Sequence, residues 1–320
     1  MAIFLYILSN NIVPVFIIIG LGFILGKKLD LNLSTLSKLN FYLFVPGFVF
    51  FYLYSTSLSW ATLKILGFAL VYMVINDLLA RIMAKIRHYD LGMTNAFKNS
   101  IMFNNSGNIG VSLITLVFSS ATYAVGGQTP YLNQAIAVQV IIFMCISITM
   151  NTIGFYNAGR ARKNIRDSLS LIFTMPSIYV VLIALLLKYF TLDITDTPLW
   201  PAVGYIKDGL VPVALLSLGV QLSKTEFDFK NVDVNIAVIT RLIVGPALAY
   251  IGIYLFGFTG VVAQTIFIAY STPTAVNAAL IAVEYDNYQN FAAQEVMMST
   301  IYSAITLTLV IYLARILFPI

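Results

Sequence analysis

Residues 102–113 read MFNNSGNIGVSL, from Met102 to Leu113, and put three asparagines, two serines and two glycines inside a stretch otherwise apolar enough to cross a membrane. A soluble protein would use such a run as a surface loop. Here the flanking residues are oily on both sides, so the polar cluster falls at mid-membrane depth. Irregular backbone survives there only when protein shields it or when it lines a wet cavity.

The rest of the chain supports a membrane setting. Of its 320 residues, 60% are hydrophobic and 10% charged, with a mean hydropathy of +0.90. Soluble domains carry about 25% charged residues, so this composition cannot cover a soluble surface. The apolar runs last about 20 residues, the length a helix needs to cross hydrocarbon. Alternating strands of the barrel type are absent. One cysteine, Cys145, excludes an internal disulfide and reads as a small apolar filler. One histidine, His88, with one cysteine cannot build a zinc site. No cofactor is expected, and the net charge of +5 gives no reason to expect nucleic acid. The N-terminal MAIFLYILSNN lacks a basic region and a cleavage site, and reads as the start of a first span.

Ten spans are expected, with cores near 7–26, 36–57, 61–83, 97–118, 134–156, 169–190, 203–222, 232–256, 261–283 and 293–317. Lysine and arginine favour cytoplasmic loops. They gather after the first span (Lys27, Lys28, Lys38), the third (Arg81, Lys85, Arg87, Lys98), the fifth (Arg160, Arg162, Lys163, Arg166) and the seventh (Lys224, Lys230). The opposite side has only Lys64, Lys188, Lys207 and Arg315. Both termini are therefore expected outside. The last cytoplasmic loop departs from the pattern, with Glu284 and Asp286 and no base.

Three short matches recur in the same order. NNIVPVFIII around Pro14 matches IFTMPSIYVV around Pro176. YLFVPGFVF around Pro46 matches DGLVPVALL around Pro212. NNSGNIGVSLI matches PTAVNAALIAV, with Asn108 opposite Asn277. Residues 1–160 would then repeat as 161–320. Five spans per half is an odd number, so the halves enter the membrane in opposite directions, an arrangement common in secondary transporters.

The ninth span holds the partner of the opening stretch, YSTPTAVNAAL, with Thr272, Pro273, Thr274 and Asn277. Pro273 interrupts a helix because it lacks an N–H and clashes with the preceding turn. In the fourth span, Asn104, Asn105, Ser106, Asn108 and Gly110 provide the polar and flexible positions. Small polar residues often do no more than pack membrane helices. A matched pair of breaks points further, to a midplane site where half-helix N-termini attract an anion.

With these two stretches, the chain resembles the auxin efflux carrier family over its whole length, and in particular its bacterial members, the malate and malonate permeases. The resemblance implies an all-α fold of ten transmembrane helices in a 5+5 inverted repeat, with broken fourth and ninth helices that cross. That fold is shared with bile-acid symporters and sodium/proton antiporters. It also implies a scaffold from spans 1, 2, 6 and 7, a mobile transport unit from spans 3–5 and 8–10, and a homodimer through the scaffold. The chain departs from plant members in lacking a long central loop, and in having Asn104 or Asn105 where a crossover proline is expected.

Charged residues within spans require partners. Arg241 is read either as a clamp for a substrate carboxylate or as a side chain snorkelling to lipid phosphate. Asp77 either pairs with Arg81 one turn on or supports the site by binding a proton or balancing Arg241. Glu295 is a further proton candidate, and Gln139 a cavity donor. Phe50, Phe51, Tyr52 and Tyr54 read as lipid-facing belt or as scaffold surface.

The leading expectation is a secondary active or facilitative transporter of small organic anions in a bacterial inner membrane, working by an elevator motion. A sodium-coupled symporter or cation/proton antiporter is the alternative, although the breaks hold no Asp or Glu. An intramembrane hydrolase is remote, because Asp77 has no aspartate partner and His88 lies in a basic loop. No Walker A motif is present, so direct ATP drive is not expected.

Overall fold

The computed structural model describes residues 2–29, 31–55, 60–159, 176–225 and 228–320, and all regular structure among them is helical. The helix α1 runs through Ala2–Ile7, Leu8–Ile12 and Val13–Lys28. In α2 the pieces are Leu33–Leu39, Asn40–Phe44 and Val45–Ser55. Next come α3, Trp60–Arg87, and a helix in two halves, α4a (Leu91–Met102) and α4b (Ser106–Val111 continuing into Ser112–Ser119). The fifth, α5, covers Leu132–Thr149, Met150–Gly154 and Phe155–Gly159. Then follow α6, Pro176–Tyr189, and α7, Leu199–Leu222. Val232–Ile239, Thr240–Val244 and Gly245–Leu255 make α8. The ninth is again halved, into α9a (Gly260–Tyr270) and α9b (Val276–Glu284), and α10 is Gln289–Leu317.

Among the described residues, six helices are long and apolar enough to cross a membrane: Phe4–Lys28, Thr62–Arg87, Leu132–Gly159, Leu199–Leu222, Val232–Leu255 and Gln289–Leu317. Shorter apolar helices lie at Tyr42–Ser55, Ser106–Ser119, Tyr179–Tyr189 and Gly260–Tyr270. The architecture is that of a multi-pass membrane protein. The beginning of the expected sixth span, and the basic cluster Arg160–Arg166, lie outside the described residues. Lys98 is a correction. Read from sequence as a loop residue, it is instead buried in α4a and paired with Asp77.

Three prolines leave a common signature. Each of Pro14, Pro46 and Pro246 stands two residues after a π turn, at Leu8–Ile12, Asn40–Phe44 and Thr240–Val244. Proline offers no N–H and its ring presses on the carbonyl four residues back. The helix answers by widening. The residue before each proline reaches back five positions, Val13 N–H to Leu8, Val45 N–H to Asn40 and Gly245 N–H to Thr240. Such widened turns mark functional positions often enough to note what they hold: Asn40 and Arg241 both sit in one.

The helices α1, α2, α6 and α7 pack on one another, α1 against α7 and α2 against both α6 and α7. Between α1 and α7 the backbones touch. A Cβ on Gly219 would lie 2.0 Å from the Ile19 carbonyl oxygen, and one on Gly22 would lie 2.3 Å from that of Leu216. Small residues allow this approach where lipid supplies no hydrophobic drive. Phe51 stacks on Trp200 of α7 at 4.7 Å, and Tyr52 is buried. A second group joins α3 to α4a and α5, α9a to α5 and α8, and α10 to α8, α9a and α9b. The groups meet where α1 touches α10 and α4b, α2 touches α5, and α7 touches α4b.

Candidate functional site

The two polar breaks meet. Phe103–Asn105 and Pro273–Ala275 lie antiparallel, with Asn104 opposite Thr274. Asn105 N–H donates to the Pro273 carbonyl at 2.7 Å, and Ala275 N–H donates to that of Phe103 at 2.8 Å. Each break thus supplies the partners the other lost when its helix stopped. The Asn104 side chain adds a bond to the Ala269 carbonyl at 2.6 Å.

Four half-helix ends converge at this crossing. The C-terminal ends of α4a and α9a are held by Arg241, which is 1% exposed. Its guanidinium donates to the carbonyls of Ile101 (2.9 Å), Tyr270 (2.6 Å) and Thr272 (3.0 Å). A cation at two C-termini complements their partial negative charge. Arg241 is therefore not a snorkelling residue, nor does it line the cavity described below.

The N-terminal ends of α4b and α9b border a cavity of about 60 Å³. They differ. Asn105 Oδ1 accepts from the N–H groups of Asn108 (3.2 Å) and Ile109 (3.5 Å), capping α4b with its own side chain. No side chain caps α9b, which begins after Ala275. From the breaks, the cavity is lined by Asn104, Asn105, Ser106, Gly107, Asn108, Ala275, Val276 and Asn277. The side-chain amides of Asn108 and Asn277 make no hydrogen bond among the described residues. Asn104 Oδ1 and Asn105 Nδ2 are buried without a partner, and a polar guest or water would satisfy such atoms. Among the described residues, none of the lining is charged.

The far wall was not singled out from sequence. It comes from α2 (Leu33, Asn40, Val45), α5 (Phe143, Ile146, Ser147, Met150) and α7 (Ser217, Leu218, Gln221). Asn40 donates to Ser217 Oγ at 3.2 Å and keeps Oδ1 free. The available signal was polar residues inside apolar spans, Asn40 alone and Ser217 with Gln221 one turn apart.

Several expected residues stand behind the cavity rather than in it. Gln139 donates to the Ser106 carbonyl at 2.6 Å and fixes the start of α4b. Gly110 makes room for that bond, since a Cβ there would lie 2.5 Å from Gln139 Nε2. Pro273 contributes its carbonyl to the crossing, and the Thr272 hydroxyl returns to the Ala269 carbonyl at 2.7 Å. Thr274 and Glu295 are fully buried side by side, with Oγ1 and Oε1 2.7 Å apart. Asp77 joins Arg81 at 2.6 Å, as the local reading has it, and also Lys98 at 2.6 Å, tying α3 to α4a. Arg241 is not its partner.

Outside the spans, Asp90 caps α4a by accepting from Met93 N–H at 2.7 Å. This backbone bond, with one from the Tyr288 hydroxyl at 2.5 Å, holds its carboxyl below the usual range. The same contact pushes the Tyr288 phenol up.

Comparison with known proteins agrees with this architecture. A transporter of Methanothermobacter thermautotrophicus, described as uncharacterized, is 24% identical over 313 residues, covering 94% of this chain and 96% of its own. A Rhizobium meliloti protein named "Putative malonate transporter" is 29% identical over 119 residues, 37% of each chain. An uncharacterized transporter of Methanocaldococcus jannaschii is 22% identical over 156 residues, 48% of this chain and 49% of its own. These are names of transporters, not enzymes. The family described as "Membrane transport protein" (Mem_trans) matches residues 7–311, and the chain accordingly belongs to this family of membrane transporters, the auxin efflux carriers.

Proposed function

We propose that the chain carries small organic anions, mono- or dicarboxylates of about the size of malonate or malate, by alternating access. The observation that carries this reading is the cavity between the crossing and α2 and α7. It offers the uncapped start of α9b and the free amides of Asn108 and Asn277, with no carboxylate to repel an anion. Backbone N–H groups at a helix start bind carboxylates without a fixed cation. Lack of Asp and Glu in the lining also disfavours a dedicated cation site. The partial likeness to a protein named for malonate agrees in substrate class.

On this reading the ten helical segments form a 5+5 inverted repeat. The helices α1, α2, α6 and α7 act as a scaffold, and the other six move as an elevator past it. The cavity at the boundary of the two packed groups supports that division. The chain would reside in a bacterial inner membrane with both termini outside, and pair through the scaffold. Transport on this reading is secondary active or facilitative.

The test is counterflow of labelled malonate, malate and acetate into liposomes holding purified protein. Wild type exchanges at least one of them. The variants N108A and N277A remain folded and lose that exchange. Full exchange in both variants, or none of any carboxylate in wild type, would overturn the reading.

A further inference from the structure

Thr274 Oγ1 lies 2.7 Å from the Ser100 carbonyl oxygen and 2.7 Å from Glu295 Oε1. A hydroxyl has one hydrogen to donate. An ionised Glu295 would leave two acceptors facing Thr274, and only one could be served. Both contacts become hydrogen bonds when Glu295 holds a proton. It then donates to Thr274 Oγ1, which donates to Ser100.

The surroundings favour the same state. Glu295 is fully buried, Oε2 makes no hydrogen bond, the buried Ser100 hydroxyl beside it is likewise unpaired, and Glu295 makes no ion pair among the described residues. A bare carboxylate in so dry a place is costly. Neighbouring charged and titratable groups are committed elsewhere. Arg241, on α8, is within electrostatic reach but spends its donors on three carbonyls. Lys98, on α4a, is paired with Asp77 of α3. Asp233, at the start of α8, is held by Arg87 and Tyr89. Tyr270, at the end of α9a, is buried, and its hydroxyl has no partner.

We propose that Glu295 carries a coupling proton in the transport cycle, an inference that rests on the transport reading above. Losing the proton turns the Thr274 hydroxyl from Ser100 toward the carboxylate. This releases one tie between the ninth-span break and α4a. Asn277 lies three residues further on, in the first turn of α9b and in the cavity wall. Proton and cargo are thereby linked through a few residues of backbone.

The variant Glu295→Gln separates the possibilities, because its amide N–H can replace the acid proton toward Thr274 while never leaving. Labelled malonate or malate is supplied outside the proteoliposomes, with membrane voltage clamped. With one proton per carboxylate, a pH difference of one unit sustains about a tenfold accumulation. Wild type is expected to reach it. E295Q is expected to keep counterflow and lose accumulation. Wild-type accumulation that ignores the pH gradient overturns the proposal whatever the variants do, and E295Q accumulation equal to wild type does so too. Absence of any wild-type counterflow would instead strike the transport reading itself.

Discussion

The guanidinium of Arg241 donates to the Tyr270 carbonyl at 2.6 Å, joining the widened turn of α8 to the end of α9a. Two further bonds reach Ile101 and Thr272, so one side chain holds three carbonyls around the crossing. A hydrogen bond to a charged group contributes about 1.5–3 kcal/mol. Arg241→Gln is therefore expected to lose at least about 3 kcal/mol and to lower the unfolding midpoint in detergent sharply. A stable R241Q protein with altered preference between mono- and dicarboxylates would show a clamp instead of a brace.

Asn277 has a different profile, with a free amide and no structural partner. Asn277→Ala should leave the melting midpoint within about 0.5 kcal/mol of wild type, as surface-like changes do. If the amide donates to a carboxylate, affinity should fall by about tenfold to a hundredfold. Radioligand or calorimetric binding in detergent would read this, and an unchanged affinity would remove Asn277 from the site.

Gly110→Ala tests the support behind the cavity. The added Cβ would displace Gln139 from the Ser106 carbonyl, leaving a buried acceptor unpaired at about 1–3 kcal/mol. A melting curve unchanged from wild type would mean that Gln139 finds another route.

Asp90 links α4a to the start of α10 through Tyr288. Its depressed pKa means that the contact stabilises the fold above the unfolded carboxyl value, about 3.9. That contribution fades as pH falls through the still lower folded value. Asp90→Ala should lower the midpoint at neutral pH, and the gap to wild type should narrow as pH falls below the unfolded carboxyl value. A gap independent of pH would place the effect in packing alone.

A multi-pass helical architecture was legible because an apolar run of membrane length has few alternatives, and the breaks because Pro273 and the Asn–Ser–Gly cluster offend a helix in oil. What escaped notice depends on partners that sequence does not display. The widened turns before Pro14, Pro46 and Pro246 follow from one clash repeated three times, yet helical spacing hides the extra residue. Arg241 was read against side-chain and lipid partners, whereas its actual partners are backbone carbonyls, which every residue possesses. Asn40, Ser217 and Gln221 reach the cavity only through the packing of α2 and α7. Gln139 was read as a cavity donor, whereas its amide donates to the Ser106 carbonyl behind the cavity.

On the proposed transport reading, the difference between Asn105 and Ala275 gives the cavity a polarity of its own. One of two look-alike sockets is already plugged by a neighbouring amide, and the other stands open. A guest with a single acid head would then enter one way round, head toward residues 276 and 277, its tail left to be measured by the opposite wall. Discrimination by chain length would be the task of Asn40 and Gln221, on the wall formed by α2 and α7.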